Sequence, residues 1–282
     1  MVSIQAPVAR QYEQPLVPPS ALGFRQSPFD FEVLEQNEDQ RRIARLNKKL
    51  QEQCGEEFTL KHYVGSELFS LSRGTLLSLA ACYAEVFNES WGEDWTIASA
   101  LKEIQSCINC PDEYLPVMSL LFHEERVVGF SWGFIMDSSA LTEESQPFSS
   151  SSFKRHESVT VAKYWLDQVA RCGKLISVRE LGVLKEFRND KTPYLCLPIF
   201  EKAEAEGCKA AFLRTKVTSK AFKWSLGIGF VPLQLFMVND LLLMHGSVKY
   251  AADTFRGMID DTKKRQCQHN VVNNIKRYLC QY

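Results

Sequence analysis

The chain predicts an α/β fold built on a mixed sheet, and three observations carry that reading. Leu175–Gly207 (LISVRELGVLKEFRNDKTPYLCLPIFEKAEAEG) opens as a β-branched apolar run, breaks at a charged turn and continues as a helical segment. The strand pattern then resumes at once in KAAFLRTKV, which makes a parallel strand–helix–strand crossover. VMSLLF and VVGFSWGFIM are apolar runs separated by the polar turn His123-Glu-Glu-Arg126, which reads as an antiparallel hairpin, and PLQLFMV and LLLMHGSV form another about Asn239-Asp240. Helical stripes lie between these strands. The strongest is in residues 74–89, where Leu76, Leu77, Ala80, Ala84 and Phe87 recur at three- and four-residue steps.

Composition narrows the class. The 282 residues suffice for one large domain or a domain with appendages, and 45% apolar with 24% charged residues is ordinary for a globular protein. A formal charge of −1 implies no global attraction to nucleic acid or to a membrane surface. No run approaches the roughly 18 apolar residues that span a bilayer, and MVSIQAPVARQYEQ has no apolar core of the kind a secretory signal needs. Nine cysteines, an odd count without framework spacing, read as reduced buried thiols in a cytoplasmic protein. Cys107-Ile-Asn-Cys110 has neither a second pair nor a nearby histidine to complete a zinc site, so no metal is expected.

Taken in order, residues 1–34 are proline-bearing and read as an extended or disordered arm. Residues 35–55 form a helix in which Ile43, Leu46 and Leu50 make a thin apolar stripe, docked on the domain or offered to a partner or second copy. A core of residues 56–246 follows. It starts with the strand Phe58–His62, the helix of residues 74–89, the turn Trp91-Gly-Glu-Asp-Trp95 and a second helix through Ile97, Leu101 and Ile104. The Ser-rich segment 137–158 and a helix Val159–Arg171 form an insertion over residues 137–172, of a kind that could act as a lid. Lys216–Trp224 reads as a short helix. Residues 247–282 form a helical tail, a second possible oligomer contact, in which Lys263-Lys-Arg265 sits beside Asp260 and Asp261. That is a solvated face rather than a nucleic-acid site.

Two blocks carry a family likeness. LGVLKEFRNDKTPY resembles the acyl-donor motif of GNAT-type N-acyltransferases at Leu181, Val183, Phe187 and Arg188. KAFKWSLGIGFVPL is similar to a second block of that family at Ala221, Gly229 and Phe230, and Val127-Val128-Gly129-Phe130 resembles its third strand. The resemblance covers roughly residues 118–246. It implies a GNAT-like sheet, mostly antiparallel, whose central parallel strands splay apart, with helices on both faces. It also implies transfer of an acyl group from acetyl-CoA or another acyl-CoA to a small-molecule or peptide amine, without a metal. By the same resemblance the backbone of Leu181, Gly182 and Val183 holds the donor's pantetheine arm. The turn Arg188, Asn189, Asp190, Lys191 and Thr192, with Lys220, meets its phosphates. Trp91 and Trp95 wall the acceptor site. Ser225 stands where the family often has a tyrosine that protonates the leaving thiolate.

The departures have physical content. Lys191 and Pro193 replace two small residues of the donor turn; lysine disfavours positive φ and proline has no N–H to offer. Pro198 lies inside the expected helix at a cost of about 3 kcal/mol, so the helix should begin irregularly or start near Pro198. Gly182, in a strand, fits a bulge or a close backbone approach to a ligand. Glu180 is the carboxylate best placed to deprotonate an amine; the plainer alternative is a strand glutamate paired with its neighbour Arg179. Arg188, Lys191, Lys216, Lys220 and Lys223 could meet the phosphates of coenzyme A, or dock an acidic acyl carrier protein that brings its own pantetheine. Two functions stay open on these residues: an N-acyltransferase, or a binding or regulatory module that keeps the fold without the chemistry.

Overall fold

A computed structural model describes residues 31–140, 171–188, 190–238 and 241–260. The insertion from residue 141 to 170, Asn189, the tip Asn239-Asp240, the arm before Phe31 and the tail beyond Asp260 lie outside the described residues, together with the expectations that fall on them. The chain divides into two compact units, Met1–Glu38 and Asp39–Tyr282. Of the first, only the opening turns of α1 (Phe31–Cys54) are described; everything below concerns the second.

The hairpins and the crossover form one seven-stranded sheet. Its strands are β1 (Phe58–Val64), β2 (Leu115–His123), β3 (Arg126–Asp137), β4 (Lys174–Val183), β5 (Ala210–Lys216), β6 (Val231–Val238) and β7 (Leu241–Ser247), in the order β1-β2-β3-β4-β5-β7-β6. Every neighbouring pair is antiparallel except β4 and β5. The parallel pair is joined by α4 (Thr192–Ala205), as a crossover of this length requires. The fold class read from the sequence is the one observed, a mixed, mostly antiparallel GNAT-like sheet with a parted central parallel pair.

Helices cover both faces. On one lie α2 (Arg73–Trp91) and α3 (Ile97–Ile108), with Tyr83 of α2 stacked on Phe130 and Trp132 of β3 at 5.5 and 5.6 Å between ring centroids. Leu77 and Ile97, expected on the apolar stripes, are instead 42% and 50% exposed. Ala80, Ala84 and Phe87 of the expected α2 stripe are buried, Leu76 packs half-buried against the core, and Leu79 and Tyr83 widen the buried face. On the other face lie α1 from Asp39 onward, α4 and α6 (Val248–Ile259), with Phe200 of α4 against Phe255 of α6 at 5.3 Å. The α1 stripe docks as expected: Leu46 and Leu50 are buried, and the Asn47 amide brackets Leu60 of β1 by accepting from its N–H and donating to its carbonyl. The short α5 (Lys220–Gly227) starts four residues later than read from the pattern, capped by Ser219, whose hydroxyl accepts from Phe222 N–H.

Helix α4 corrects the expectation about Pro198. It starts at Thr192, with Pro193 in its first turn, and runs through Pro198 to Ala205. Burial of every residue from Pro193 to Ala203 except the half-buried Lys202 outweighs the lost hydrogen bond and the ring clash.

The sheet has one decisive irregularity. Trp132 of β3 faces Glu180 and Gly133 faces Val178, so Arg179 is an extra, unopposed residue: a β-bulge. Gly133 makes it possible, because a Cβ there would lie 2.5 Å from the Ser177 carbonyl oxygen and 3.1 Å from Val178 Cα. The bulge is therefore at Arg179, and not at Gly182, where a bulge was one of two readings. Gly182 is small for a different reason: a Cβ there would meet Phe130 at 2.5 Å and Val86 at 2.8 Å, where α2 presses onto the sheet. The two glycines predict different outcomes. Gly182→Ala collides with side-chain ends and should cost about 1–3 kcal/mol in urea denaturation. Gly133→Ala collides with backbone and should cost more than Gly182→Ala; equal or smaller loss at Gly133 would argue against the tight bulge.

Candidate active site

Parallel pairing between β4 and β5 is confined to Leu175↔Ala210, Ile176↔Ala211 and Ser177↔Phe212. Beyond Ser177 the strands part while each keeps its other neighbour, β4 on β3 and β5 on β7. Parting thus begins just before the bulge at Arg179 and well before Gly182. The gap is a slot of about 360 Å³ that reaches both faces of the sheet: Tyr83 and Phe87 of α2 line it on one side, Cys196 and Phe200 of α4 on the other, with Trp224 of α5. Along its edges lie residues 178–181 of β4 and 213–215 of β5.

A second cavity of about 440 Å³ adjoins it under α3, lined by Glu103, Cys107, Cys110, Tyr114, Trp132 and Phe134 among others. Arg179, Glu180 and Arg214 line both cavities. In a regular strand Arg179 and Glu180 would point to opposite faces; the bulge turns both toward the junction. Burial pushes the Glu180 carboxyl up to about 8, Glu103 and Glu93 add to the rise, and Arg179 opposes it. The Tyr83 phenol is raised as well, by burial first and then by Glu180, Glu103 and Glu93.

The loop between α2 and α3 folds locally. Gly92 ends α2 in the left-handed region at φ 66°, and Thr96 caps α3 by accepting from Ser99 N–H. Asn88 clips the loop shut, donating to the Trp95 carbonyl at 2.9 Å and accepting from its N–H at 2.7 Å. Trp95 Nε1 donates to Glu93 at 2.6 Å, and its ring meets Tyr83 edge-on at 4.9 Å. From the far edge of the slot Lys216 reaches across: its ammonium lies 4.6 Å from the Trp91 ring centroid and 4.0 Å from Glu93.

Of the residues singled out in the sequence, Glu180, Leu181, Trp91, Trp95 and Ser225 are brought together around the slot. Ser225 is only 2% exposed, and its hydroxyl donates to the Ala221 carbonyl at 2.8 Å within its own helix. The remaining donor residues lie outside that lining. Gly182 and Val183 are buried in packing. Arg188 is held by the Val183 carbonyl at 3.0 Å, Glu89 at 3.0 Å and Ser90 at 2.9 Å. The Lys191 ammonium sits 4.5 Å over the Phe58 ring, and its carbonyl accepts from Tyr194 N–H at 3.1 Å. Thr192 opens α4, Asp190 is exposed beside it, and Lys220 and Lys223 are exposed on α5. Tyr83, Glu93, Glu103, Arg179 and Arg214 were not singled out as site residues. Tyr83 carried a signal, as a polar-tipped aromatic within the apolar stripe of α2; the others looked like ordinary surface charges.

No family model matches the sequence, and no curated protein matches it. Solved structures that resemble the fold include the PaiA N-acetyltransferase of Thermoplasma acidophilum in complex with coenzyme A. It is 12% identical over 66% of this chain and 99% of that one, with a TM-score of 0.42. Others are the ribosomal-protein-S18-alanine N-acetyltransferase of Escherichia coli (12% identity, 67% and 94% coverage, TM-score 0.39) and the CoA-dependent acyl-homoserine lactone synthase BjaI (12%, 72% and 90%, 0.44).

The junction carboxyl makes a prediction that needs no ligand. Glu180 holds its proton more tightly when folded than the ordinary carboxylate value of 4.5. Its neutral form is the one the fold favours, so its contribution to stability is full below about pH 4.5 and declines as pH rises through about 8. Thermal melts of parent and Glu180→Gln at about pH 5 and about pH 8.5 should show the variant gaining relative to the parent at the higher pH. Parallel curves would mean that the carboxyl titrates normally.

Proposed function

We propose that the chain is an N-acyltransferase that takes an acyl group from a pantetheine thioester, acetyl-CoA or another acyl-CoA, and delivers it to an amine. One observation carries this: a slot between parted parallel strands that meets a second cavity at a carboxyl held near neutrality. Among the described residues the parted stretches of β4 and β5 have no partner strand across the gap, which suits an extended arm bearing amides. Its aromatic and aliphatic lining suits the apolar parts of that arm and its acyl group.

The residues fit the arm better than the phosphates. The turn before α4 lacks the N–H of Pro193, has committed that of Tyr194, and has Arg188 tied to α2. Phosphates would then fall to side chains, Lys220 and Lys223 on α5 and Lys216 once released from Glu93. A carrier protein with acidic docking residues would need no phosphate turn, and the engaged Arg188 favours that donor as the second reading.

The donor supplies a thioester carbonyl. Glu180, as carboxylate, removes the proton of an ammonium so that the nitrogen lone pair can form the C–N bond while the C–S bond breaks. Backbone N–H groups along the slot edge would stabilise the oxygen that gains charge. The departing thiolate needs a proton or water. Ser225 has its proton committed to Ala221; the Tyr83 phenol lines the slot and, with its pKa raised, stays protonated and can hydrogen-bond the departing sulfur, while water supplies the proton.

Titration with acetyl-CoA and longer acyl-CoAs should give saturable heat or a rise in melting temperature. Thiol release in the presence of an accepted amine should fall about 10²-fold in Glu180→Gln with donor affinity retained. An unchanged rate would remove Glu180 as the base. No response to any acyl-CoA or acyl carrier protein would leave the binding or regulatory module.

A further inference from the structure

On the reading of the slot as the donor site, we propose that Lys216 is a strap across its mouth. It is closed in the free protein, and a phosphate-bearing donor opens it by drawing the ammonium from Glu93 onto a phosphate. Lys216 ends β5, beyond Phe212, the last residue of that strand paired with β4, and so stands where the seam is open. Its ammonium lies 4.6 Å from the Trp91 ring centroid and 4.0 Å from a Glu93 carboxylate oxygen. Trp91 and Glu93 both line the slot at the exit of α2. The contact therefore runs from one lip of the gap to the other, and an arm entering at this end has to displace it.

Both anchors are fixed, which leaves the lysine side chain as the moving part. Asn88 clips the loop at Trp95, and Trp95 Nε1 donates to one Glu93 oxygen at 2.6 Å, so the other oxygen is the one nearest Lys216. On the β5 side the Lys216 carbonyl accepts from the Ser219 N–H at 2.9 Å and its hydroxyl at 2.6 Å. The strap itself is weak enough to yield. Lys216 and Glu93 are 34% and 38% exposed, so water screens the ion pair, and the ring contact adds only a little. Together they favour the closed form about threefold to tenfold, and the apparent affinity of any ligand that must pass is lowered by that factor. A phosphate offers the ammonium a stronger partner than the half-exposed carboxylate. Lys220 and Lys223, exposed on α5 just beyond, stand on the same side of the gap for the remaining charge.

The test is calorimetric binding of pantetheine, which has the arm without the phosphates, and of coenzyme A to the full chain, Glu93→Gln and Lys216→Met. Pantetheine should bind both variants about threefold to tenfold more tightly than the parent, since each removes the strap. The preference for coenzyme A over pantetheine should hold in Glu93→Gln, which frees the lysine, and fall about tenfold in Lys216→Met, which removes the phosphate's partner. Added salt should tighten pantetheine on the parent relative to Lys216→Met, because it screens the exposed ion pair. Without ligand, Lys216→Met should alter the tryptophan emission, and the alteration should vanish in a Trp91→Phe background. Pantetheine affinity unchanged in both variants, a coenzyme A preference that survives Lys216→Met, or an emission indifferent to Lys216 would overturn the strap while the donor reading stands. Binding of neither ligand to any of the three proteins would be failure of the donor reading, and the strap would fall with it.

Discussion

The structure depends on the contact between the backbone at Ser177 and Val178 and the bare Cα of Gly133. A side chain at residue 133 would meet the Ser177 carbonyl at 2.5 Å, so β4 could not press against β3 there and the bulge at Arg179 would have no room. The bulge lies just beyond the last parallel pair, Ser177 with Phe212, and a bulged strand bends and twists more strongly than a regular one. The open seam, its two cavities and the charged junction between them follow from that local geometry. A regular β4 would carry Arg179 and Glu180 on opposite faces and separate the charges that now meet.

The sheet can tolerate such a gap because helices bridge it. Phe200 of α4, the helix that packs on the β1–β4 half, also meets Phe230 and Phe255, and Trp224 of α5 stacks on Phe255 of α6. Each strand edge at the slot gives up pairing on one side only. Across the opening, Lys216 to Trp91 and Glu93, and Arg188 to Glu89 and Ser90, tie the strand ends to α2 and its exit loop. These cations looked in the sequence like phosphate ligands. In the fold they fasten the rim.

The elements that were legible are those whose signal is periodic or apolar. The crossover, both hairpins and the helices of residues 73–108 follow from runs whose burial is locally encoded, and the α1 stripe of Leu46 and Leu50 docks as its spacing requires. Where local and tertiary terms compete, the reading failed. Pro198 argued for a break, yet α4 runs through it because burial on the sheet exceeds the local penalty. Gly182 fits a bulge or a close approach to a ligand as far as the sequence goes, and the neighbours Phe130 and Val86 show a third reason for its size, close packing of α2 on the sheet. Glu180, Trp91 and Trp95 were singled out and do converge on the slot, but Arg214 and Glu103 had no local signal. A charged residue on a strand or helix looks the same in the sequence whether it faces solvent or a cavity.

By itself the sequence determined the order and type of the elements, the mixed sheet and the presence of one parallel crossover, because these rest on side-chain periodicity and turn chemistry within a few residues. Only the tertiary structure decided where the parallel seam opens, which strand residue is the extra one, and which charges share the junction. Those depend on how residues far apart in the chain fill or leave empty the same few ångströms: Gly133 beneath Ser177, Phe130 against Gly182, Lys216 over Trp91.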